Sequence, residues 1–502
     1  MATAALRGLA GGTATGLLCL IGLAAGAAEL PELVAAAKSG DRARALTALT
    51  AGADVAAVEA DGTTALHWAA RFNDLELADR LLAAGADANS ANRYGVTPLY
   101  LAALNGSAGM IERLLEAGAD ANEVGNEGET VLMTVAHTGV VAAADALLAH
   151  GAQVEARENW HGQTALMWAA AEGHPAMVQR LIEAGADVNA LSNVREWERQ
   201  RSDEPRDKWL PPGGFSALLY AAREGCTDCV PVLAESGADV NQTTAENISA
   251  VALALINGHY DTAMALLEAG TDPNIYDYTG RGALYAAADF NTMPMSNRPA
   301  PNVLPNEHSA LDVMRLALEK GADPDAQLIR QAPYRAKLDR GNDTVLTAGT
   351  TALVRAAKSA DLPAIELLLE HGADASLTTR NDVNALMIAA GLGNAEQDTT
   401  GRFKNEADII ATIDIMLDQG LEINAVDNRG RTALHGAALH GFDQVVAALA
   451  ERGADLTVED RDGFTALDTA LGLAGGFGFT GGEGRVQEST VALIEQLLED
   501  SE

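Results

Sequence analysis

The sequence predicts an all-α repeat solenoid, and two recurring units carry that prediction. The first is Gly-Ala-Asp, which begins at Gly52, Gly85, Gly118, Gly185, Gly237, Gly321, Gly372 and Gly453, mostly at steps of 33 or 34 residues or at that step plus an insertion. The second follows ten residues later and is fullest at Gly62-Thr63-Thr64-Ala65-Leu66-His67-Trp68-Ala69-Ala70. A fixed period of this length marks stacked units, each burying its apolar face only against its neighbours. The chain therefore reads as one elongated domain over residues 29–502, in spite of its length.

Within each unit the elements follow in order. A glycine turn and a Thr that can cap lead into a short Ala/Leu-rich run, which predicts a first helix. After another turn, often Gly-His or Gly-Asn, a run such as Met110-Ile111-Glu112-Arg113-Leu114-Leu115 has the period of an amphipathic second helix. The next Gly-Ala-Asp supplies a glycine where a helix C-cap needs one. The first-helix box returns at Gly95-Val96-Thr97-Pro98-Leu99, Gly162-Gln163-Thr164-Ala165-Leu166, Gly349-Thr350-Thr351-Ala352-Leu353 and Gly430-Arg431-Thr432-Ala433-Leu434-His435.

Turn, helix, turn and helix in 33 residues, with a Thr-Pro-Leu-His-like box, resembles the ankyrin repeat family. The resemblance runs from about Leu30 to the C-terminus and implies about twelve repeats with hairpin fingers. The boxes at Thr130, Ser249 and Gly282 depart from the family pattern, yet the pitch continues through them, so they are weak copies. The resemblance also implies that the box histidines, His67 and His435, bond within the turn. The other histidines have no ligand spacing, which leaves no metal site and no cofactor to expect.

Five insertions interrupt the pitch, near residues 191–213, 290–308, 325–348, 392–406 and 472–487. The first and third lengthen fingers, and the other three lie between the helices of a repeat. Loops grown on a solenoid are where such proteins gain binding surface. The first holds Trp197 and Trp209 among alternating charges, as an anchor for a partner or as a fold-back onto the solenoid. The third is locally basic, with Arg330, Arg335, Lys337 and Arg340 beside Tyr334. The second carries Pro294, Pro299 and Pro301 and is expected to be extended. The last includes Gly476, Gly478 and Gly481 in Gly-x-Gly-x-x-Gly spacing, but no strand precedes it, so it reads as a loop rather than a nucleotide cradle.

Residues 1–28 hold a single Arg7, an apolar run through Leu17-Leu18-Cys19-Leu20-Ile21 and a small-residue end at Ala27-Ala28. This is the form of a signal peptide and predicts a periplasmic or secreted protein, with an uncleaved anchor as the other reading. Seventy acidic residues against 34 basic ones give a net charge of −36, which argues against a nucleic-acid partner. Arginine supplies 28 of those bases, consistent with a bacterial source.

In ankyrin proteins the finger residues before the box glycine, and the two residues after the Ala-Ala pair, line a concave groove. By that resemblance Phe72, Tyr94, Trp160, Tyr278 and Phe290 are candidate partner-binding residues, beside Arg71, Arg93, Arg223 and Glu224. The mature cysteines, Cys226 and Cys229, stand at an interhelix turn and leave three readings open: a structural disulfide, two unpaired small residues, or thiol chemistry. The combined expectation is an exported bacterial scaffold, monomeric and not an enzyme, that binds a protein partner through its groove and inserted loops. A redox-linked accessory role for Cys226 and Cys229 is the alternative.

Overall fold

A computed structural model describes residues 30–194, 213–292, 306–330, 346–393, 405–474 and 486–500. The signal-like segment, Trp197, Trp209, Tyr334 and the central part of each insertion lie outside the described residues. Among the described residues 24 helices follow one another without a strand, as twelve helix–turn–helix pairs. Repeat 1 is α1 (Glu32–Lys38) with α2 (Arg42–Thr50), and repeat 12 is α23 (Ala466–Ala470) with α24 (Glu488–Glu499). The fingers between pairs are held by single bridges, as at Val58 and Thr64 or Val124 and Thr130.

Most first helices begin where a polar side chain takes up one of their unpaired N–H groups, α1 behind Pro31 being an exception. Thr97 Oγ1 accepts from Tyr100 N at 3.0 Å and Asn384 Oδ1 from Met387 N at 2.9 Å. Two of the weak boxes still cap in this way, through Thr130 and Ser249. The third, at Gly282, has no side chain to do so, and α15 (Ala283–Asn291) starts uncapped.

The second helices carry the apolar stripe. In α6 (Ala108–Glu116), Met110, Ile111, Leu114 and Leu115 are all buried, and each such leucine contributes about 1.5–3 kcal/mol by leaving water. The helix stops at Gly118, whose φ of +91° is open to glycine and strained for other residues. There Ala119 N bonds to Leu114 O and Gly118 N to Leu115 O, both at 2.9 Å, which is a Schellman stop. The first helices present paired alanines, such as Ala69-Ala70 and Ala102-Ala103, with no exposed surface to speak of. Small side chains there let one first helix stack closely on the next.

Three lines of hydrogen bonds run along the stack. On the Gly-Ala-Asp edge, Asn89 Nδ2 donates to Gly118 O at 2.8 Å while Asp120 N donates to Asn89 Oδ1 at 3.0 Å. Asn122, Asn189, Asn274 and Asn424 repeat this two-bond clasp. At the fingertips the backbone itself is joined: Arg93 N to Asp61 O at 2.8 Å, Asn159 N to Glu127 O at 2.9 Å, Arg461 N to Arg429 O at 2.8 Å. At the interhelix turns, Asn105 Nδ2 reaches Arg71 O at 2.9 Å and Gln487 Nε2 reaches Leu439 O at 3.2 Å.

The box histidines belong to the same scheme. His67 Nδ1 accepts from Thr64 N at 3.1 Å, which fixes the proton on Nε2, and Nε2 donates to Val96 O of the next finger at 2.9 Å. His435 repeats this with Thr432 and Phe464 O. Both rings thus bridge repeats as well as cap them.

Candidate partner-binding surface

The groove-side residues divide into fingertips and first-helix ends. Trp160 is 57% exposed and Tyr94 is 54% exposed. Local bonding explains why each stands out. The buried Glu158 carboxylate accepts from Trp160 N, His161 N and Gln163 N, so the loop is drawn in beneath an indole that faces outward. Tyr94 N is held by Asn92 Oδ1 at 3.0 Å, and the Arg93 guanidinium lies over the Tyr94 ring at 4.8 Å.

Phe72, 50% exposed, ends α3 (Ala65–Arg71) and stacks on Trp68 with centroids 5.8 Å apart. Trp68 is fixed in turn by Glu59 Oε1, 2.6 Å from its Nε1, and by Lys38 and Arg71 over its ring. Phe72 is therefore preorganised, with its ordering entropy already lost in the free protein. Leu104, at the equivalent turn of α5 (Pro98–Leu104), is likewise half exposed and continues the apolar line.

The wall changes character at repeats 8 to 10. Phe290 lies inside α15 and is only 3% exposed, so it is a packing residue and the expectation of a contact role for it is corrected. Tyr278 is half-buried. All of 281–290, 351–361 and 383–393 are buried, including turns whose counterparts at Arg71, Phe72 and Asn73 face solvent. Inside this stretch Arg355 Nε meets Asp289 Oδ1 at 2.5 Å, Thr292 Oγ1 meets Ser359 Oγ at 2.9 Å, and Asn291 Nδ2 donates to Asp361 Oδ2 at 2.6 Å. Gly436 follows the same logic, since a Cβ there would lie 2.4 Å from Leu392 N of the adjoining repeat.

Cys226 and Cys229 are joined as a disulfide at the turn before α12 (Cys229–Glu235), with Cα atoms 5.3 Å apart. Cys229 is fully buried and Cys226 nearly so, a placement that gives thiol chemistry no open sulfur to work through. Among the described residues no three His, Cys, Asp or Glu side chains gather as a metal site, and no helix is long and apolar enough to cross a membrane.

The residue rule that selects Phe72 also selects Leu104, which a search for aromatics alone passes over. Trp68 sits one helical turn before Phe72, on the same face, and that phase is its signal in the sequence. No signal marks the Asp289–Arg355 pair, because its members are 66 residues apart and meet only through stacking.

A family model described as ankyrin repeats, in three copies, matches residues 33–125, 109–192, 218–297 and 404–475, more than half of the chain. Among curated proteins, the palmitoyltransferase AKR1 of Lachancea kluyveri is 33% identical over 103 residues, covering 20% of this chain and 12% of that protein. The E3 ubiquitin-protein ligase KEG of Arabidopsis thaliana is 23% identical over 274 residues, covering 52% and 16%. The ankyrin repeat-containing protein P1E11.10 of Schizosaccharomyces pombe is 41% identical over 51 residues, covering 10% and 25%. The chain thus spans a quarter or less of the length of these relatives. Among solved structures, the human ASB11 ankyrin repeat domain aligns at a TM-score of 0.40 and 26% identity, over 48% of this chain and 98% of that one. Repeat pitch, helix pairs, box histidines and family match agree: the chain belongs to the ankyrin repeat family.

Proposed function

We propose that this chain is an exported bacterial scaffold, periplasmic or secreted, that holds a protein partner along its groove and has no catalysis of its own. The observation that carries the reading is the set of half-exposed Phe72, Tyr94, Leu104 and Trp160, with Phe72 stacked on Trp68 and the backbones of Tyr94 and Trp160 held by Asn92 and Glu158. Large apolar side chains held outward on a rigid frame are the usual energetic centre of a protein interface. The inserted segments and the region after Ala28 extend the same reading: a monomeric solenoid over 29–502, released by cleavage of residues 1–28, with loops that add contact area. The buried disulfide favours the scaffold over a redox role.

The test is crosslinking capture from the envelope fraction of the source organism with tagged full chain, beside the Phe72→Asp/Leu104→Asp variant. A protein retained by the first and lost by the second supports the scaffold. Equal capture by both, or none by either, removes it. N-terminal sequencing of the exported chain reads the cleavage point directly, and an intact Met1 in a cytoplasmic fraction would overturn the export reading.

A further inference from the structure

The groove floor of repeats 2 and 3 presents a four-residue apolar patch. Trp68 and Leu101 hold the same position in α3 and α5 and are half-buried. Phe72 and Leu104 stand about one turn farther along those helix faces and are half exposed. The patch is held from beneath, because Phe72 stacks on Trp68 and Trp68 is tied to Glu59, whose other oxygen meets Lys38. It ends on both sides: Lys38 and Ser39 in repeat 1, and His137 and Thr138 in repeat 4, stand where Arg71 and Phe72 stand in repeat 2.

Charge is divided across this patch. On the finger side, Asp61 and Glu127 precede the box glycines of repeats 2 and 4, and Arg93 on the finger between them is folded over the Tyr94 ring at 4.8 Å. Burial first, and then Glu129 and Glu127, push the Tyr100 phenol upward, which puts both carboxylates within electrostatic reach of the residue next to Leu101. Hydrogen bonds from Thr63 hold Asp61 below the usual carboxylate range. On the opposite margin Arg71 lies over the Trp68 ring.

We propose that this patch seats an amphipathic helix of a partner protein, with its apolar stripe on the floor and a basic flank toward the fingers. The proposal rests on the scaffold reading and gives the partner a form and a charge. Equivalent positions of stacked helices recur at about 8–10 Å. A partner helix returns residues i and i+7 to one face about 10.5 Å apart, with i+3 and i+4 beside them, which supplies two columns of anchors at the spacing of Trp68 and Leu101. A β-strand does not, since its residues three apart, about 10 Å, point to opposite faces. Lys or Arg over Asp61 and Glu127 completes the match, and the net charge of −36 draws such a segment in from a distance.

The experiment is selection of random displayed peptides of about eighteen residues, five helical turns, on the immobilised full chain. The expected winners carry apolar residues at i, i+3, i+4 and i+7 beside Lys or Arg, and a synthetic winner gains helical circular dichroism on binding. Its affinity should fall about tenfold or more with Leu104→Asp, and about threefold or more with Glu127→Lys or at high salt. Glu422→Lys, the same change of charge at an exposed site in a distant repeat, should leave it unchanged. Unaltered melting of each variant separates contact loss from unfolding. Winners that bind without becoming helical, or that are indifferent to Leu104→Asp, overturn the helix seat, and winners indifferent to Glu127→Lys overturn its basic flank. Selection of no peptide also overturns the seat, while a protein still captured by the full chain leaves the scaffold reading standing.

Discussion

Arg355 and Asp289 are joined across two neighbouring repeats by a salt bridge in which neither side chain meets solvent. Asp289 stands at the position where Arg71, Leu104 and His137 are exposed in repeats 2 to 4. The guanidinium also bonds Ser359 Oγ and the Asp289 carbonyl, so the network ties the first-helix ends of repeats 8 and 9 together. Removing one member leaves the other charge buried, which costs about 3–5 kcal/mol. Arg355→Met should lower the urea midpoint accordingly. Asp289→Leu with Arg355→Met should recover most of the loss, and a double variant no better than the single one would show that the pair is not what sets stability there.

The asparagine clasps make a smaller and more local prediction. Asn122→Ala removes the bond to Gly151 O and the bond from Gln153 N, about 1 kcal/mol each. Hydrogen exchange should quicken at the Gln153 amide first. Exchange that is unchanged there, or that rises equally in distant repeats, would contradict a clasp that acts only on its neighbour.

Acid and base sides of the stability profile should respond to different histidines. Burial holds His67 and His435 below the ordinary imidazole pKa, against the pull of their carbonyl partners. Their contribution is complete above the unfolded value of about 6.5 and is lost as pH falls through the folded value. His308 is opposite: its hydrogen bond to Asp261 raises its pKa, so its contribution is complete below about 6.5 and is lost as pH rises through the folded value. Melting curves at several pH values should show His67→Gln flattening the acid limb and His308→Gln flattening the alkaline one. The same limb flattened by both would sink the assignment.

The Cys226–Cys229 disulfide closes a very short loop, so chain entropy assigns it about 2 kcal/mol. A Cys226→Ser/Cys229→Ser variant should fold, melt a few degrees lower, and keep the partner. Thiol titration of native protein should find no reactive sulfur. Rapid labelling without denaturant would place the sulfurs in solvent and revive the thiol reading.

Much of this molecule can be read from its letters because the repeat makes every position a comparison with others. Thr64, Gly118 and Leu114 announce cap, stop and core simply by recurring. Exposed Phe72, Tyr94 and Trp160 are legible for the same reason, since family register assigns them to the groove edge. Phe290 occupies that register too and is buried, because register reports where a residue starts and not what packs over it. The Asp289–Arg355 network is illegible for a related reason: no other repeat carries this Asp or this Arg at the same position, and charge pairing across 66 residues appears only once the stack is built.

The asparagine clasp has a mechanical consequence where it fails. Glu155 and Asp325 stand in the clasp position, and a carboxylate accepts from the next finger, at Asp187 N and Asp374 N, but cannot donate back to a glycine carbonyl. Ser376, at the next such position, is hydrogen-bonded to its own Asp374. The joints following the fingers at Gly52, where Ala56 has no polar side chain to clasp with, and at Gly151, Gly321 and Gly372 are thus hinged by fewer bonds than those at Gly85 or Gly118. Pulled from its ends, this rod should yield in segments, parting first at those joints and delivering its load to a tethered partner in steps rather than as one spring.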